Sequence, residues 1–202
     1  MLKKIMLLSA LLFVNSKIVT AQSLSVGPIV GANLATINSL PNTKSIAGIS
    51  GGGFANYSVD EHLGIGAKIL YSQLGTAFSN SSKVVKLHYI QIPLSAIYYF
   101  GDNGSEFRPK VYAGPYLGTL LKAKDENGNE ILRPDGTHAY NTFDLGGQVG
   151  LGFNYRIMPS TWINFDAGFA KSFTDVSKNN SNSYHNVAFS LNVGVSFPIS
   201  GE

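Results

Sequence analysis

The segment Asn186–Phe197, NVAFSLNVGVSF, alternates strictly between two kinds of residue. Every second position carries a large apolar side chain, and the positions between carry small or polar ones. Because side chains on a β-strand point to opposite faces with a period of two, this segment is predicted to be a strand with one apolar and one narrow, wettable face. The apolar positions are Val187, Phe189, Leu191, Val193, Val195 and Phe197.

The same alternation recurs along the rest of the chain and predicts eight strands in total. It is weaker in the first, second and fourth of these segments than in the other five. The predicted strands are Val26–Ala35, Ile46–Tyr57, Leu63–Ser72, Lys86–Tyr99, Val111–Leu121, Phe143–Tyr155, Ile163–Ala170 and Tyr184–Phe197.

The small face of these strands decides between a soluble and a membrane protein. A soluble β-sandwich or barrel would turn its polar face to water and carry Lys, Glu and Thr there. Here that face carries mainly Gly, Ala, Ser and Asn, which suit a crowded barrel interior. The large apolar face then meets lipid. The sequence therefore predicts an all-β fold, an eight-stranded antiparallel up-and-down transmembrane β-barrel, with a soluble barrel or sandwich as the alternative.

The predicted connections alternate between long and short, as they do in outer-membrane barrels, which have short periplasmic turns and longer outer loops. The long ones are rich in Asn, Ser, Gly and Asp, which is typical of exposed turns. They are Thr36–Ser45, Thr76–Val84, Lys122–Ala139 and Ser172–Ser183.

The N-terminal residues are predicted to form a signal peptide, residues 1–21, that is removed from a barrel domain of residues 22–202. Lys3 and Lys4 precede an apolar run, Ile5–Val14, and small residues follow at Val19–Ala21. An apolar run of this length is too short for a membrane-spanning helix, which needs roughly 20 residues. The formal net charge of +3 equals the contribution of the lysines in this segment, so the mature chain is neutral and shows no basic stripe for nucleic acid.

Four segments resemble the PorT-like family of small, OmpX-sized outer-membrane β-barrels. They are VGPIVGANLATI near the mature N-terminus, LHYIQIPLSAIYYF at Leu87–Phe100, VYAGPYLGTLL at Val111–Leu121 and FDLGGQVGLGFNY at Phe143–Tyr155. The resemblance implies the outer membrane of a Gram-negative bacterium, with outer-membrane lipid, the barrel-assembly machinery and envelope or secretion proteins as partners. It also implies that Phe197, the aromatic residue near the end of the last strand, is the assembly signal.

Charged and amide side chains on the small-residue face are predicted to form a lumenal polar network with a structural role. An ionised group in a narrow interior is costly unless it is paired or hydrated. The predicted members are Lys68, Gln91, Asp144, Gln148, Asn154 and Asp166.

The sequence carries no motif of an established catalytic or cofactor site, and no cysteine. Gly51-Gly52-Gly53 continues a strand pattern, so it is not interpreted as a phosphate loop. Acidic residues of the longest loop, Asp125-Glu126 and Asp135, lack the repeated spacing of a calcium loop, and the four histidines, His62, His88, His138 and His185, are far apart.

Two functions therefore remain open. The first is a non-enzymatic barrel that serves envelope structure, surface-loop binding or secretion. The alternative is an outer-membrane enzyme acting on lipid or peptide through loop residues, with Ser183, His185, His138 and Asp135 as candidates. A diffusion porin is disfavoured, since eight strands leave an interior that side chains fill.

Overall fold

The computed structural model describes residues 23–102, 104–134, 136–137, 139–178 and 183–199. They form eight antiparallel strands that close into a barrel in sequence order, with β8 paired to β1. The predicted fold class is confirmed. The strands are β1 Ser23–Asn38, β2 Thr43–Ser58, β3 Leu63–Phe78, β4 Val84–Tyr99, β5 Phe107–Lys124, β6 Phe143–Met158, β7 Thr161–Ser172 and β8 His185–Pro198.

The two faces of β8 lie as the alternation predicts. Leu191 is 45% exposed on the outer surface, whereas its neighbour Asn192 is 5% exposed in the lumen. Large exposed Leu, Ile, Val and Phe side chains recur around the barrel in the same way. A continuous apolar belt of this kind is typical of a surface that lipid covers. Within the described ranges, no helix is long and apolar enough to cross a membrane.

The connections lie at two ends of the barrel. The start of β1 and the end of β8 share one end with connections 59–62, 100–106 and 159–160, and the opposite end carries 39–42, 79–83, 125–142 and 173–184. In outer-membrane barrels the end with the termini is periplasmic, so we refer to the other as the outer end.

The predicted long loops Thr36–Ser45 and Thr76–Val84 are wrong in length. Most of their residues are strand, and only 39–42 and 79–83 remain as turns, with Ser39 and Asn42 at positive φ. The reason is that two strands can pair through backbone hydrogen bonds outside the lipid as well as within it. Strands of 16 residues exceed the roughly 9–11 residues that cross a bilayer, so their polar ends pair beyond the apolar belt.

Glycines of β6 make room for two tyrosines inside the barrel. Tyr112 and Tyr116 on β5 are the direct cross-strand partners of Gly150 and Gly146. A Cβ atom on Gly150 would lie 2.3 Å from the Tyr112 ring, and one on Gly146 would lie 2.4 Å from the Tyr116 ring. Both rings are buried, so glycine is required here by the close approach of an aromatic side chain.

The outer third of the lumen is filled by apolar side chains, which we call the apolar plug. Nine of its members come from strand ends, and Val176 enters from connection 173–184. This arrangement resembles the core of a soluble protein more than a polar channel. The buried members are Ala35, Ile37, Leu74, Val85, Leu87, Tyr89, Leu120, Ala123, Val176 and Ala188.

Candidate functional site

An ion cluster spans the middle of the lumen. Lys68 on β3 donates a hydrogen bond to Asp166 Oδ2 on β7, with Nζ and Oδ2 2.7 Å apart. Lys110 Nζ on β5 lies 2.8 Å from Asp166 Oδ1 and makes an ionic contact without hydrogen-bond alignment. Because β3 and β7 stand on opposite sides of the barrel, the cluster ties the two walls together.

A second polar cluster surrounds Asp144 on β6, which is 1% exposed. Its Oδ1 accepts hydrogen bonds from Ser172 Oγ and from Thr174 Oγ1, the latter at 3.2 Å. Its Oδ2 accepts one from Asn186 Nδ2 at 2.9 Å. Several donors satisfy this buried carboxylate, which is the arrangement that makes an unpaired buried charge tolerable.

A small cavity of about 50 Å³ lies between these clusters, lined by apolar and polar side chains that include Gln91, Gln148 and Asn192. Its volume is enough for a few water molecules, since one needs roughly 10–15 Å³ of such space. Gln148 Nε2 donates to Ser95 Oγ at 3.0 Å, and Ser50 Oγ donates to Asn192 Oδ1 at 2.9 Å. The middle of the lumen is thus narrow, with space for a few water molecules.

The six predicted network residues are divided among separate contacts. Only Lys68 and Asp166 bind each other. Gln91 and Gln148 border the cavity, Asp144 has the partners given above, and Asn154 lies opposite Arg108 near the periplasmic end. Lys68 also borders the cavity that Gln91 and Gln148 line. One joined network of all six residues, with a structural role, stays a prediction.

Two lumenal cations were missed by the sequence reasoning, namely Lys110 and Arg108. Arg108 lies with its guanidinium carbon 4.5 Å from the centre of the Tyr99 ring, and its Nη2 donates to the Glu61 carbonyl at 2.5 Å. Both cations share the inward parity of Tyr112 and precede the predicted start of the strand at Val111. Extending the alternation upstream past Pro109 would have found them.

The outer mouth is covered by connections 125–142 and 173–184, which bind each other. Asn141 Nδ2 donates to the Asp175 and Ser177 carbonyls at 2.9 and 3.0 Å. The Asn141 backbone N–H donates to the Val176 carbonyl at 2.9 Å, and Val176 itself is 2% exposed in the apolar plug. Tyr140 packs against the plug, and its burial raises the pKa of its hydroxyl. The described residues of the two connections therefore bind each other over the outer mouth, and we call them the outer cap.

The residues considered for catalysis or metal binding are not assembled into a site by the described part of the chain. His185 Nδ1 lies 3.0 Å from the Thr174 carbonyl oxygen, Ser183 is exposed, and the predicted partners Asp135 and His138 lie outside the described residues. Asp125 Oδ1 accepts backbone N–H groups of its own turn, that of Asn129 at 2.8 Å. Gly51-Gly52-Gly53 lies inside β2.

The remaining histidines, His62 and His88, and the predicted assembly signal, Phe197, each have their own contacts. His62 Nδ1 lies 3.1 Å from the Tyr99 carbonyl oxygen, and His88 contacts Tyr71. Within the described ranges, no group of three or more metal-ligating side chains is present. Phe197 is 47% exposed and paired with Val26 of β1; its role in assembly stays a prediction, as does the signal peptide, which lies outside the described residues.

Comparisons with known proteins agree with this geometry. Residues 20–178 match the family model of the outer membrane protein beta-barrel domain. No curated protein matches the chain. Among solved structures, the barrel is similar to Neisserial surface protein A, with 20% identity, a TM-score of 0.56 and coverage of 86% of this chain and 96% of that one. It is also similar to OprG from Pseudomonas aeruginosa, with 12% identity, a TM-score of 0.57 and coverage of 90% and 97%.

At these identities, the solved structures support the fold alone. The family model covers well over half of the chain, and its match agrees with the closed barrel and the apolar belt. The chain therefore belongs to the outer membrane protein β-barrel domain family and is a protein of the Gram-negative outer membrane.

Proposed function

We propose that this protein is a sealed, non-enzymatic barrel that acts through its outer surface, by binding a macromolecule of the envelope or of the cell exterior. The observation that carries the proposal is the apolar plug, which fills the outer third of the lumen. A pathway for polar solutes would have to pass side chains such as Leu87 and Tyr89, both of which have no exposed surface.

Two further barriers support the absence of a pore. The ion cluster around Asp166 crosses the middle of the lumen, with Lys110 3% exposed. Arg108 and Tyr99 pack together near the periplasmic end. The lumen would stay closed if any one of the three barriers were removed. The barrel therefore serves as a scaffold for its outer surface and not as a channel.

The outer cap is suited to recognition because hydrogen bonds among its described residues order it before any partner binds. The hydrogen bonds of Asn141 and the buried Val176 hold the cap against the barrel. A surface ordered in advance loses less conformational entropy on binding. Leu132, 46% exposed within connection 125–142, offers an apolar side chain on this cap. Envelope structure and assistance to secretion are roles that such a surface serves, and the four motifs quoted above support a place among the PorT-like barrels.

Two measurements test this proposal together. Planar-bilayer recordings of the purified protein are expected to show no ion conductance. A photo-crosslinking residue at Leu132 is expected to capture a macromolecule in intact cells, whereas the same residue at Ile157, exposed near the periplasmic end of β6, serves as the matched control. Steady conductance, or equal capture at both positions, would contradict the proposal.

A further inference from the structure

Three lysines project outward from the outer ends of β4 and β5, and we call them the lysine row. Lys86 is the direct cross-strand partner of Lys124, and Lys122 is the partner of His88. Their orientation is fixed by their neighbours, since Leu87 and Ala123 point inward into the apolar plug. The row therefore faces the surroundings of the barrel and not its lumen.

The lysine row places three ammonium groups close together on the outer surface. Like charges directly opposite each other on paired strands are destabilising, as for Lys86 and Lys124. Acidic residues lie nearby: Glu126 accepts the Val84 backbone N–H at 3.2 Å, and Glu130 lies opposite Lys124 in an isolated backbone bridge. An anion from outside the chain would further reduce the repulsion within the row.

The surface next to the row, toward the middle of the barrel, is apolar. Ile92 and Leu117 are cross-strand partners on the outer face of β4 and β5, 42% and 59% exposed. Leu121, a residue before the row, is 50% exposed. Positive charge at the outer edge of an apolar belt matches a molecule with an anionic head and hydrocarbon chains.

The hydrogen bonding of His88 gives independent support for a ligand at this place. Its side chain is 9% exposed between the row and β3. Nδ1 lies 2.5 Å from the Tyr71 hydroxyl oxygen, but the buried Nε2 has no hydrogen-bond partner among the described residues. A buried polar atom without a partner is costly, and an anionic oxygen held by the lysines would supply one.

We infer that the lysine row and His88 bind the phosphate group of a phosphorylated lipid in the outer leaflet, whose acyl chains lie along Ile92, Leu117 and Leu121. Lysine ammonium groups act as point charges toward phosphate. The site is lateral, on the wall of the barrel, and is separate from the outer cap and from the lumen.

The test is a titration of the detergent-solubilised protein with diphosphorylated lipid A, followed by backbone amide NMR shifts. Shifts are expected to centre on the ends of β4 and β5. Each Lys→Gln change in the row is expected to weaken binding about fivefold, and the triple variant K86Q/K122Q/K124Q about a hundredfold, from the usual contribution of a lysine near an anionic surface. Inorganic phosphate and dephosphorylated lipid A are expected to bind far more weakly.

Lys171→Gln is the matched control. Lys171 is exposed at the outer end of β7, where its cross-strand partners are Gly147 and Val187. Its loss is expected to leave the affinity unchanged, and heat-modifiable gel mobility shows that each variant is folded. Wild-type affinity in the folded triple variant, or an equal loss in Lys171→Gln, would overturn the inference. Equal binding of inorganic phosphate would show a simple anion site instead of a lipid site.

Discussion

The ion cluster in the lumen gives the most quantitative expectation, for the change Asp166→Asn. Asp166 and Lys110 are each 3% exposed, and the carboxylate lies within 2.8 Å of two ammonium groups. The asparagine variant keeps the shape of the side chain but leaves two buried cations without their counter-ion. Breaking a buried ion pair by removing one partner costs about 3–5 kcal/mol, and mutual repulsion of the two lysines acts in the same direction.

Lys68→Met is the matched variant, and its expected cost is much smaller. It leaves Lys110 and Asp166 as a one-to-one pair, so no buried charge lacks a counter-ion. The lost hydrogen bond to Asp166 is partly offset because the second ammonium group no longer has to be desolvated, and the net loss is expected to be about 1 kcal/mol.

The assay is urea unfolding of the protein refolded into lipid vesicles. The chain has a single tryptophan, Trp162 on β7, so its fluorescence reports the transition without interference. A free energy of unfolding for Asp166→Asn within about 1 kcal/mol of the wild type would contradict this expectation. It would show that water reaches the cluster, because the larger cost applies to a buried ion pair. A loss in Lys68→Met as large as that in Asp166→Asn would refute the reasoning that the pair Lys110–Asp166 remains satisfied.

Three further results are expected. Leu191→Arg places a charge in lipid near the middle of β8 and should cost about 2–4 kcal/mol, whereas Asn192→Ala removes one hydrogen bond, worth about 1 kcal/mol; the reverse order in vesicle unfolding would contradict the orientation of the strand. Gly150→Ala should cost about 1–3 kcal/mol because its Cβ overlaps a buried tyrosine ring, whereas Gly51→Ala, whose Cβ has no neighbour closer than 3.8 Å, should be nearly neutral; equal costs would show that the close approach is absent. The pKa of Asp60 is lowered by hydrogen bonds from the backbone N–H groups of the β2–β3 turn. The contribution of Asp60 to stability is therefore present above its ordinary pKa and is lost as the pH falls through its lowered pKa; a carboxyl NMR titration midpoint at or above 3.8 would contradict this.

The two faces of each strand were predictable from the sequence because one local rule, the period of two, decides them, and the strand order followed from the alternation of long and short connections. The period of two predicts that Leu191 lies outside and Asn192 inside without any knowledge of the partner strands. The positions of the strand ends were harder to predict. The alternation of side chains ends where a strand leaves the membrane, whereas the backbone pairing continues beyond that point. Thr36 and Thr76 look like loop residues for this reason, although their side chains meet inside the barrel at 3.3 Å.

Contacts across the lumen were not predictable in the same way. The sequence indicates that Lys68 and Asp166 both point inward, but the partner of each depends on the stagger of strands on opposite walls. The apolar plug was missed because Leu74 and Leu87 have the composition of lipid-facing residues while lying on the inward parity. In the structure the two residues are cross-strand partners of β3 and β4 and lie together on the lumenal side.

The central claim is that the large apolar face of each strand meets lipid and the small face fills the lumen. The most direct measurement is a nitroxide scan along Val187–Phe197, for which the absence of native cysteine allows each label to be placed singly. In lipid vesicles, labels at Phe189, Leu191 and Val193 are expected to collide with dissolved oxygen and to be shielded from a water-soluble nickel complex, whereas labels at Ser190 and Asn192 are expected to be shielded from oxygen. Equal oxygen accessibility at adjacent positions, or nickel accessibility at Leu191, would contradict the claim.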